Sequence, residues 1–365
     1  MGARSPPDKQ CYTLEPMPLS PAPLRVAQII AGAREGGAEL FYERLCIAQH
    51  AAGDSVLSVI RREPARAARL RSAGLAPVEL GFGNPLDLLT GPRLRSALRR
   101  FAPRVAVAWM GRAARFAPRG DWVLCGRLGG YYDLRNFRRC DQLIGNTHAL
   151  VDWMTAQGWP AARAHYLPNF VADMSGAAPA SRAEFDVPPD AKLLLGLGRL
   201  HRNKAFDVLI RALARLPGVH AIIAGEGPER PALEALARAE GVADRVRLPG
   251  WRTDPANLLA AADIFVCASR QEPLGNMVIE AWSARRPVIA AAVGGPAELI
   301  DAGRTGLLVP ADDAGALAEA IDRALADPAQ AAALAEAGRA RYEADFAEAP
   351  VLSRWRDFLA TVEKA

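Results

Sequence analysis

The sequence predicts an α/β protein built from two parallel-sheet domains that face each other across a cleft. Three observations lead there. Short apolar runs alternate with helix-like stretches, the alternation restarts near residue 176, and 365 residues suit two domains of about 150–200 residues each. Each unit is long enough to bury a full core, and strands interleaved with helices indicate parallel sheets covered on both faces.

In chain order, residues 1–23 carry Pro, Ser and charged residues and no apolar core, so they read as a disordered leader and not as a secretory signal. A strand at Leu24–Ala31 then runs into the turn Gly32–Gly37 and a helix at Ala38–Ala51. Strand, Gly-rich turn, helix is the opening of a Rossmann-like unit. Further strands are expected at Ser55–Ile60, Val105–Trp109, Trp122–Cys125 and Asp141–Gly145, which makes 24–175 the first domain. After His165–Phe170 and an irregular stretch, strands follow at Lys192–Gly196, His220–Ala224, Val246–Leu248, Ile264–Ala268, Pro287–Ala291 and Gly306–Val309, with helices around Phe206–Arg215 and Val278–Ala284. These form the second domain, 176–340. Residues 328–365 are helical by pattern, with Tyr342, Phe346, Trp355 and Phe358 as apolar anchors, and 341–365 should pack back on the first domain.

Composition narrows the class. Half the residues are hydrophobic and 23% charged, a globular balance. Cys11, Cys46, Cys125, Cys140 and Cys267 are scattered and never in C-x-x-C spacing, so reduced thiols in a cytoplasmic protein are expected. No apolar run approaches the roughly 18 residues of a membrane span. Charge is uneven: residues 1–180 hold 23 Lys and Arg against 14 Asp and Glu, whereas the remainder is net negative. The clusters Arg61, Arg62, Arg66, Arg69, Arg71 and Arg93, Arg95, Arg99, Arg100, Arg104 suit either a solvated helix face or contact with an anionic membrane or acidic glycolipid. No nucleic-acid partner is expected.

Chemistry concentrates in two loops of the second domain. Glu272 to Glu280 (E-P-L-G-N-M-V-I-E) follows the strand Ile264–Ala268, with one carboxylate in a Gly-containing loop and the other on the next helix. Backbone amides near Gly275 and Asn276 offer a site for anionic oxygens. As a bare pair, the two glutamates fit a structural role equally well. Gly198 to Lys204 (G-R-L-H-R-N-K) also follows a strand, and Arg199 and Lys204 supply fixed positive charge suited to a diphosphate. Five scattered histidines, His50, His148, His165, His201 and His220, share no ligand spacing, so no metal site is expected. Asp312-Asp313 reads as a helix cap.

The ordered set G-R-L-x-x-x-K, the turn Gly225-Glu226-Gly227-Pro228, the Glu-x7-Glu motif and a helix leading to P-V-I-A resembles glycosyltransferase family 4, a retaining group with the GT-B fold of two Rossmann-like domains. The resemblance covers about residues 190–330, and the first half is compatible with the acceptor-binding domain. It implies that Arg199 and Lys204 hold the donor diphosphate and that Glu280 hydrogen-bonds the ribose. It further implies that Glu272, with the backbone of Leu274, Gly275, Asn276 and Met277, orients the transferred sugar. Gly198, Gly225 and Gly227 belong to the donor loops, while Gly36 and Gly37 match the flexible loop that approaches the phosphates from the first domain. The strings Arg127–Asp133, Cys140–Thr147 and Leu167–Phe170 resemble enzymes of lipopolysaccharide core assembly in alphaproteobacteria. Tyr131, Asp133 and Arg127, the last standing where many members carry a sugar-contacting His, are the acceptor-side candidates. Ala205 stands where the family usually has Gly and should slightly alter the turn.

By this resemblance the chain is a metal-independent hexosyltransferase with no cofactor beyond its nucleotide-sugar co-substrate. It would act on a glycolipid or oligosaccharide in the cytoplasm, at the inner face of the inner membrane. A sugar-nucleotide epimerase and a catalytically silent subunit of the same fold are the alternatives. A generic NAD enzyme is disfavoured, because Gly32–Gly37 lacks G-x-G-x-x-G.

Overall fold

A computed structural model describes residues 23–32, 36–83 and 87–365; the expected leader up to residue 22, Cys11 and the middle of the Gly32–Gly37 turn lie outside the described residues. The first sheet contains β1 (Arg25–Ile30), β2 (Ser55–Arg61), β3 (Val78–Leu80), β4 (Val105–Trp109), β5 (Val123–Leu128), β6 (Gln142–Gly145) and β7 (Ala164–Tyr166). Their order is β3-β2-β1-β4-β5-β6-β7, and every pairing is parallel. The second sheet contains β8 (Lys192–Leu197), β9 (Val219–Ala224), β10 (Val246–Arg247), β11 (Ile264–Cys267), β12 (Val288–Ala291) and β13 (Leu307–Val309). It runs β10-β9-β8-β11-β12-β13, again parallel throughout. Both are doubly wound α/β sheets, and together they form the GT-B arrangement. Each has a switch point, β1/β4 in one and β8/β11 in the other, where a crevice opens at the strand carboxyl ends.

Both faces of each sheet are covered, which is why the central strands read as continuous apolar runs. Ile29, Val107 and Val266 are among the residues removed from water. The short edge strands β3 and β7 were not expected, because V-E-L and A-H-Y interrupt their apolar character and both are only half-buried. β5 begins one residue later than expected and ends three later. Gly126, turn-like in sequence, is inside it because a side chain there would lie 2.5 Å from Phe137 Cδ1 and 2.8 Å from Leu143 Cδ2.

Phe170 packs into the core of the first domain and Val171 into that of the second. The chain crosses back at its end. The helix Pro328–Asp345 packs on the second domain, with Tyr342 and Phe346 in its core. The helix Glu348–Thr361 then returns to the first, where the Trp355 ring stacks on Trp109 with centroids 6.3 Å apart. Arg104 donates to the carbonyls of Leu359 (3.2 Å) and Ala360 (2.7 Å), placing a cation at that helix's C-terminus. Arg66 and Arg69 pair with Glu43, and Arg71 with Glu79. These members of the two arginine clusters are therefore structural, while Arg93, Arg95, Arg99 and Arg100 remain exposed.

Candidate active site

The donor-side residues converge at the β8/β11 switch point. Gly198 and Arg199 leave β8 in a loop that is zipped to the turn after β9: Gly198 N donates to Ala224 O (3.1 Å), Leu200 N to Glu226 O (2.9 Å) and Glu229 N to Leu200 O (3.1 Å). A Cβ on Gly225 would stand 1.9 Å from Gly198 O, and one on Gly227 would stand 2.2 Å from Leu200 O. Both glycines therefore let two loop backbones touch. Arg199 is exposed. Lys204 ends a short turn, Arg202–Lys204, and its ammonium reaches across to the Glu272 carboxylate and lies 3.8 Å from Met277 Sδ. Ala205 takes φ 51°, a left-handed conformation that glycine adopts without strain, so the turn keeps a glycine-like shape despite the substitution.

Glu272, Leu274 and Gly275 lie in the loop between β11 and the helix Asn276–Ser283. That loop rests on a second Gly pair the sequence had not singled out. Gly295 N donates to Glu272 O (2.8 Å), and side chains at Gly294 or Gly295 would meet the carbonyls of Glu272 and Leu274 at 2.4 and 2.1 Å. The helix start at Asn276, two residues earlier than expected, follows from Gly275 at φ 83°, and no side chain caps it. Its first amides thus have no side-chain acceptor.

The first domain closes on this helix end. A Cβ on Gly37 would be 3.4 Å from Asn276 Nδ2, so the uncapped N-terminus of the helix Gly37–Ala51 confronts that of Asn276–Ser283. Helix N-termini favour anions, and the buried carboxylate of Glu39 already stands in the first turn of the helix Gly37–Ala51. Gly36 is the N-cap of the first of these helices. Glu280 lies one turn deeper. Burial pushes its carboxyl above the ordinary range, while the charges of Arg44, from the first domain, and Lys204 pull it back. A carboxyl with a raised folded-state value binds its proton more tightly folded than unfolded, so its contribution to stability is lost as pH rises through that value. Glu280→Gln should therefore raise the melting temperature of the unliganded protein at pH 7–8. The gain should vanish as pH falls below 4.5, the unperturbed value. Melting curves across that range test this, and a pH-independent difference would contradict it.

The acceptor-side candidates Arg127 and Asp133 are both engaged by neighbouring residues. Arg127 is only 1% exposed, with its guanidinium over the rings of Trp109 (4.5 Å) and Phe41 (5.2 Å) and hydrogen-bonded to Asn169 Oδ1. Burial lowers its pKa to about 9. It reaches the cleft indirectly, because Asn169 Nδ2 donates to Asn276 Oδ1 (3.2 Å). Asp133 is engaged by its own turn: it accepts from Arg135 N (2.9 Å) and pairs with the Arg135 guanidinium. Tyr131 is 58% exposed, with its ring edge-on to Trp153. Asp313 caps the following helix through Ala316 N (2.9 Å), as read from the sequence. Among the described residues, no cluster of His, Cys, Asp and Glu has a metal-holding arrangement.

Glu298 is a further residue that the motifs did not reveal. From the second domain its carboxylate accepts from His148 N (2.7 Å) and Ala149 N (3.0 Å), the first amides of the helix His148–Ala156 in the first domain. Such a charge at a helix N-terminus contributes about 1–2 kcal/mol. Glu298→Ala should shift the protein toward a more open cleft, seen as a larger radius of gyration in small-angle scattering. An unchanged radius would mean that this contact does not hold the two domains together.

The facing doubly wound sheets, with cationic groups and two carboxylates at a switch point, define a GT-B protein whose cleft suits a polyhydroxylated, anionic ligand. The profile of the family described as "Glycosyl transferases group 1" matches residues 191–327, which contain Arg199, Lys204, Glu272 and Glu280. The chain is 35% identical over 334 residues to the lipopolysaccharide core biosynthesis glycosyltransferase LpsE of Rhizobium meliloti, covering 90% of this chain and 97% of that one. It is 34% identical to LpsD of the same organism, over 88% and 94% of the two chains. Among solved structures it resembles Anabaena HepE in complex with UDP, with TM-score 0.81, 21% identity and coverage of 93% and 100%. It also resembles the apo form of the lipopolysaccharide outer core galactosyltransferase WaaB, with TM-score 0.73, 16% identity and coverage of 92% and 99%. The chain belongs to the group 1 glycosyl transferases and is a glycosyltransferase.

Proposed function

We propose that the enzyme transfers a sugar, with retention of anomeric configuration, from a nucleotide-sugar to a lipopolysaccharide core or related surface-glycan acceptor. The observation that carries this reading is the Lys204–Glu272 pair, which joins the loop after β8 to the loop that leads into the uncapped helix Asn276–Ser283. The names of LpsE and LpsD support the acceptor class, and the UDP bound to HepE supports a nucleotide donor. Lys204, Arg199 and the amides at Asn276 and Met277 stabilise the departing nucleoside diphosphate, and Glu280 accepts hydrogen bonds from the ribose. Glu272 orients the sugar. The bond from the anomeric carbon to the diphosphate oxygen breaks as the acceptor hydroxyl oxygen bonds on the same face. The hydroxyl proton passes to the leaving phosphate. Rate enhancement comes from positioning and preorganised charge, and fixed cations take the place of a divalent metal.

The enzyme works at the cytoplasmic face of the inner membrane in this reading. No helix of the described residues is long and apolar enough to cross a membrane. Peripheral contact would use Leu88 and Leu89, 80% and 60% exposed, beside the arginines of the helix Thr90–Phe101.

The test is a thermal-shift series of UDP-, GDP- and ADP-sugars in EDTA on the wild type and Glu280→Ala. A ligand that binds only the native state must raise its stability. Stabilisation of the wild type by one nucleotide class, absent in the variant, supports the reading and names the donor. No stabilisation by any class would point to a silent subunit, and acceptor-independent nucleotide release to an epimerase.

A further inference from the structure

Away from the donor loops, two adjoining cavities of about 450 and 470 Å³ open on the first domain. The first is lined by Arg115, Asp133, Arg135, Asn136, Arg138 and Arg139. The second is lined by Arg95, Pro118, Arg119 and, again, Arg138 and Arg139. Six arginines thus surround one continuous depression. Its single carboxylate, Asp133, is already paired with Arg135, and the other five arginines have no carboxylate partner among the described residues. Some surface arginines elsewhere do pair, as Arg211 with Asp207, Arg230 with Glu226, Arg252 with Asp254 and Arg304 with Asp301, so what sets the depression apart is the gathering of six arginines around it.

Gathering like charges without counter-charge is unfavourable unless an anion arrives. Two of the side chains are also held in place by the backbone. Arg119 Nε donates to Arg139 O (3.0 Å), and Arg139 Nη1 donates to Arg115 O (3.2 Å). The guanidinium groups are therefore partly pre-positioned, a condition that favours bidentate binding of phosphate. No aromatic ring lines either cavity, so nothing here stacks a nucleobase. The depression is concave, so a flat bilayer surface cannot fill it, whereas pendant phosphate groups can. It begins at Asp133 and Asn136, in the segment that leaves the carboxyl end of β5, two residues beyond the exposed Tyr131. From there it runs toward Arg95 on the helix Thr90–Phe101.

We propose that this arginine-lined depression binds phosphate groups carried by the acceptor glycan at a distance from the hydroxyl that receives the sugar. The inference rests on the surface-glycan acceptor reading above and adds to it that the acceptor is phosphorylated. The site raises affinity for the acceptor and takes no part in the chemical step.

The test measures acceptor KM and kcat on the full chain, with a lipid-free core oligosaccharide that retains its phosphates and the same oligosaccharide after dephosphorylation. In the wild type, KM should be at least about tenfold lower for the phosphorylated glycan, the weight of one charge-assisted pair of hydrogen bonds. Arg138→Gln/Arg139→Gln and, separately, Arg119→Gln should erase most of that preference while kcat and donor KM stay unchanged. Melting temperatures report whether each variant is folded. Equal KM for both glycans in the wild type, or an undiminished preference in both variants, overturns the site. Loss of binding to phosphatidylglycerol vesicles in the variants, with the glycan preference intact, assigns the arginines to the membrane and also overturns it. Transfer to neither glycan by the wild type rejects the acceptor reading itself, a different pattern from failure of the site alone.

Discussion

Lys204→Ala is expected to lower kcat by about a hundredfold to a thousandfold, the cost of removing one preorganised group that faces charge developing in a transition state. The structure adds a second effect. Glu272, with a side chain only 11% exposed, loses the ammonium that pairs with it and is left as a half-desolvated carboxylate beside an incoming diphosphate. Donor binding should weaken along with turnover, because like charges then meet where opposite ones did. Glu272→Gln in the Lys204→Ala background should recover part of the donor affinity, and little of kcat, by removing that repulsion. Steady-state kinetics on the two single variants and the double variant test this as a cycle. A Lys204→Ala enzyme within tenfold of the wild type would remove the lysine from the mechanism.

Gly225→Ala is expected to be the most disruptive of the small substitutions. The added methyl would sit 1.9 Å from Gly198 O, and the residue holds φ 155°, a conformation L side chains rarely adopt. Neither neighbour is a flexible side chain that can swing away. Overpacking of this kind typically costs about 1–3 kcal/mol and occasionally more, and backbone against backbone belongs at the upper end. The loop that carries Arg199 should move, so donor-induced stabilisation should disappear together with several degrees of melting temperature. Gly218→Ala is the control: it sits at φ 73° with nothing within 4 Å of the added atom. It should cost only the left-handed strain, about 1–2 kcal/mol, and leave donor binding intact. Similar losses in both variants would mean that the clash at Gly225 is relieved more easily than the geometry implies.

Much of the architecture was legible because parallel strands buried on both faces leave apolar runs such as V-A-V-A-W and I-F-V-C, which repetition of the pattern sorts into two sheets. The donor loops were legible for a related reason. Their glycines and charged residues follow those strands at the carboxyl ends, where chain direction alone puts them in the crevice. The surroundings of Arg127 and Asp133 were not legible, because residue type says nothing about facing: Arg127 packs inward against aromatic rings, and Asp133 satisfies a local turn. Arg44 and Glu298 were invisible to motif reading, and Asn169 stood in a quoted string without a role, because each acts on a partner at least 100 residues away, as in the bonds Asn169–Asn276 and Glu298–His148. Gly294 and Gly295 left a faint trace, a Gly pair directly after a buried strand, whose purpose depends on the loop it supports.

The return of the final helix to the first domain has a consequence for how the molecule is made. Val351, Trp355 and Leu359 fill the same core as Val107 and Trp109, and Gln142 Nε2 donates to Glu363 O (2.9 Å). On the ribosome the amino-terminal half emerges first, yet its core lacks these side chains until the helix Glu348–Thr361 has been made. The second domain, whose core draws on residues 171–347, is complete in sequence before that point. The half synthesised first is therefore the half finished last, and an early stop codon that removes only the final helix would strand the half already made rather than the one being made.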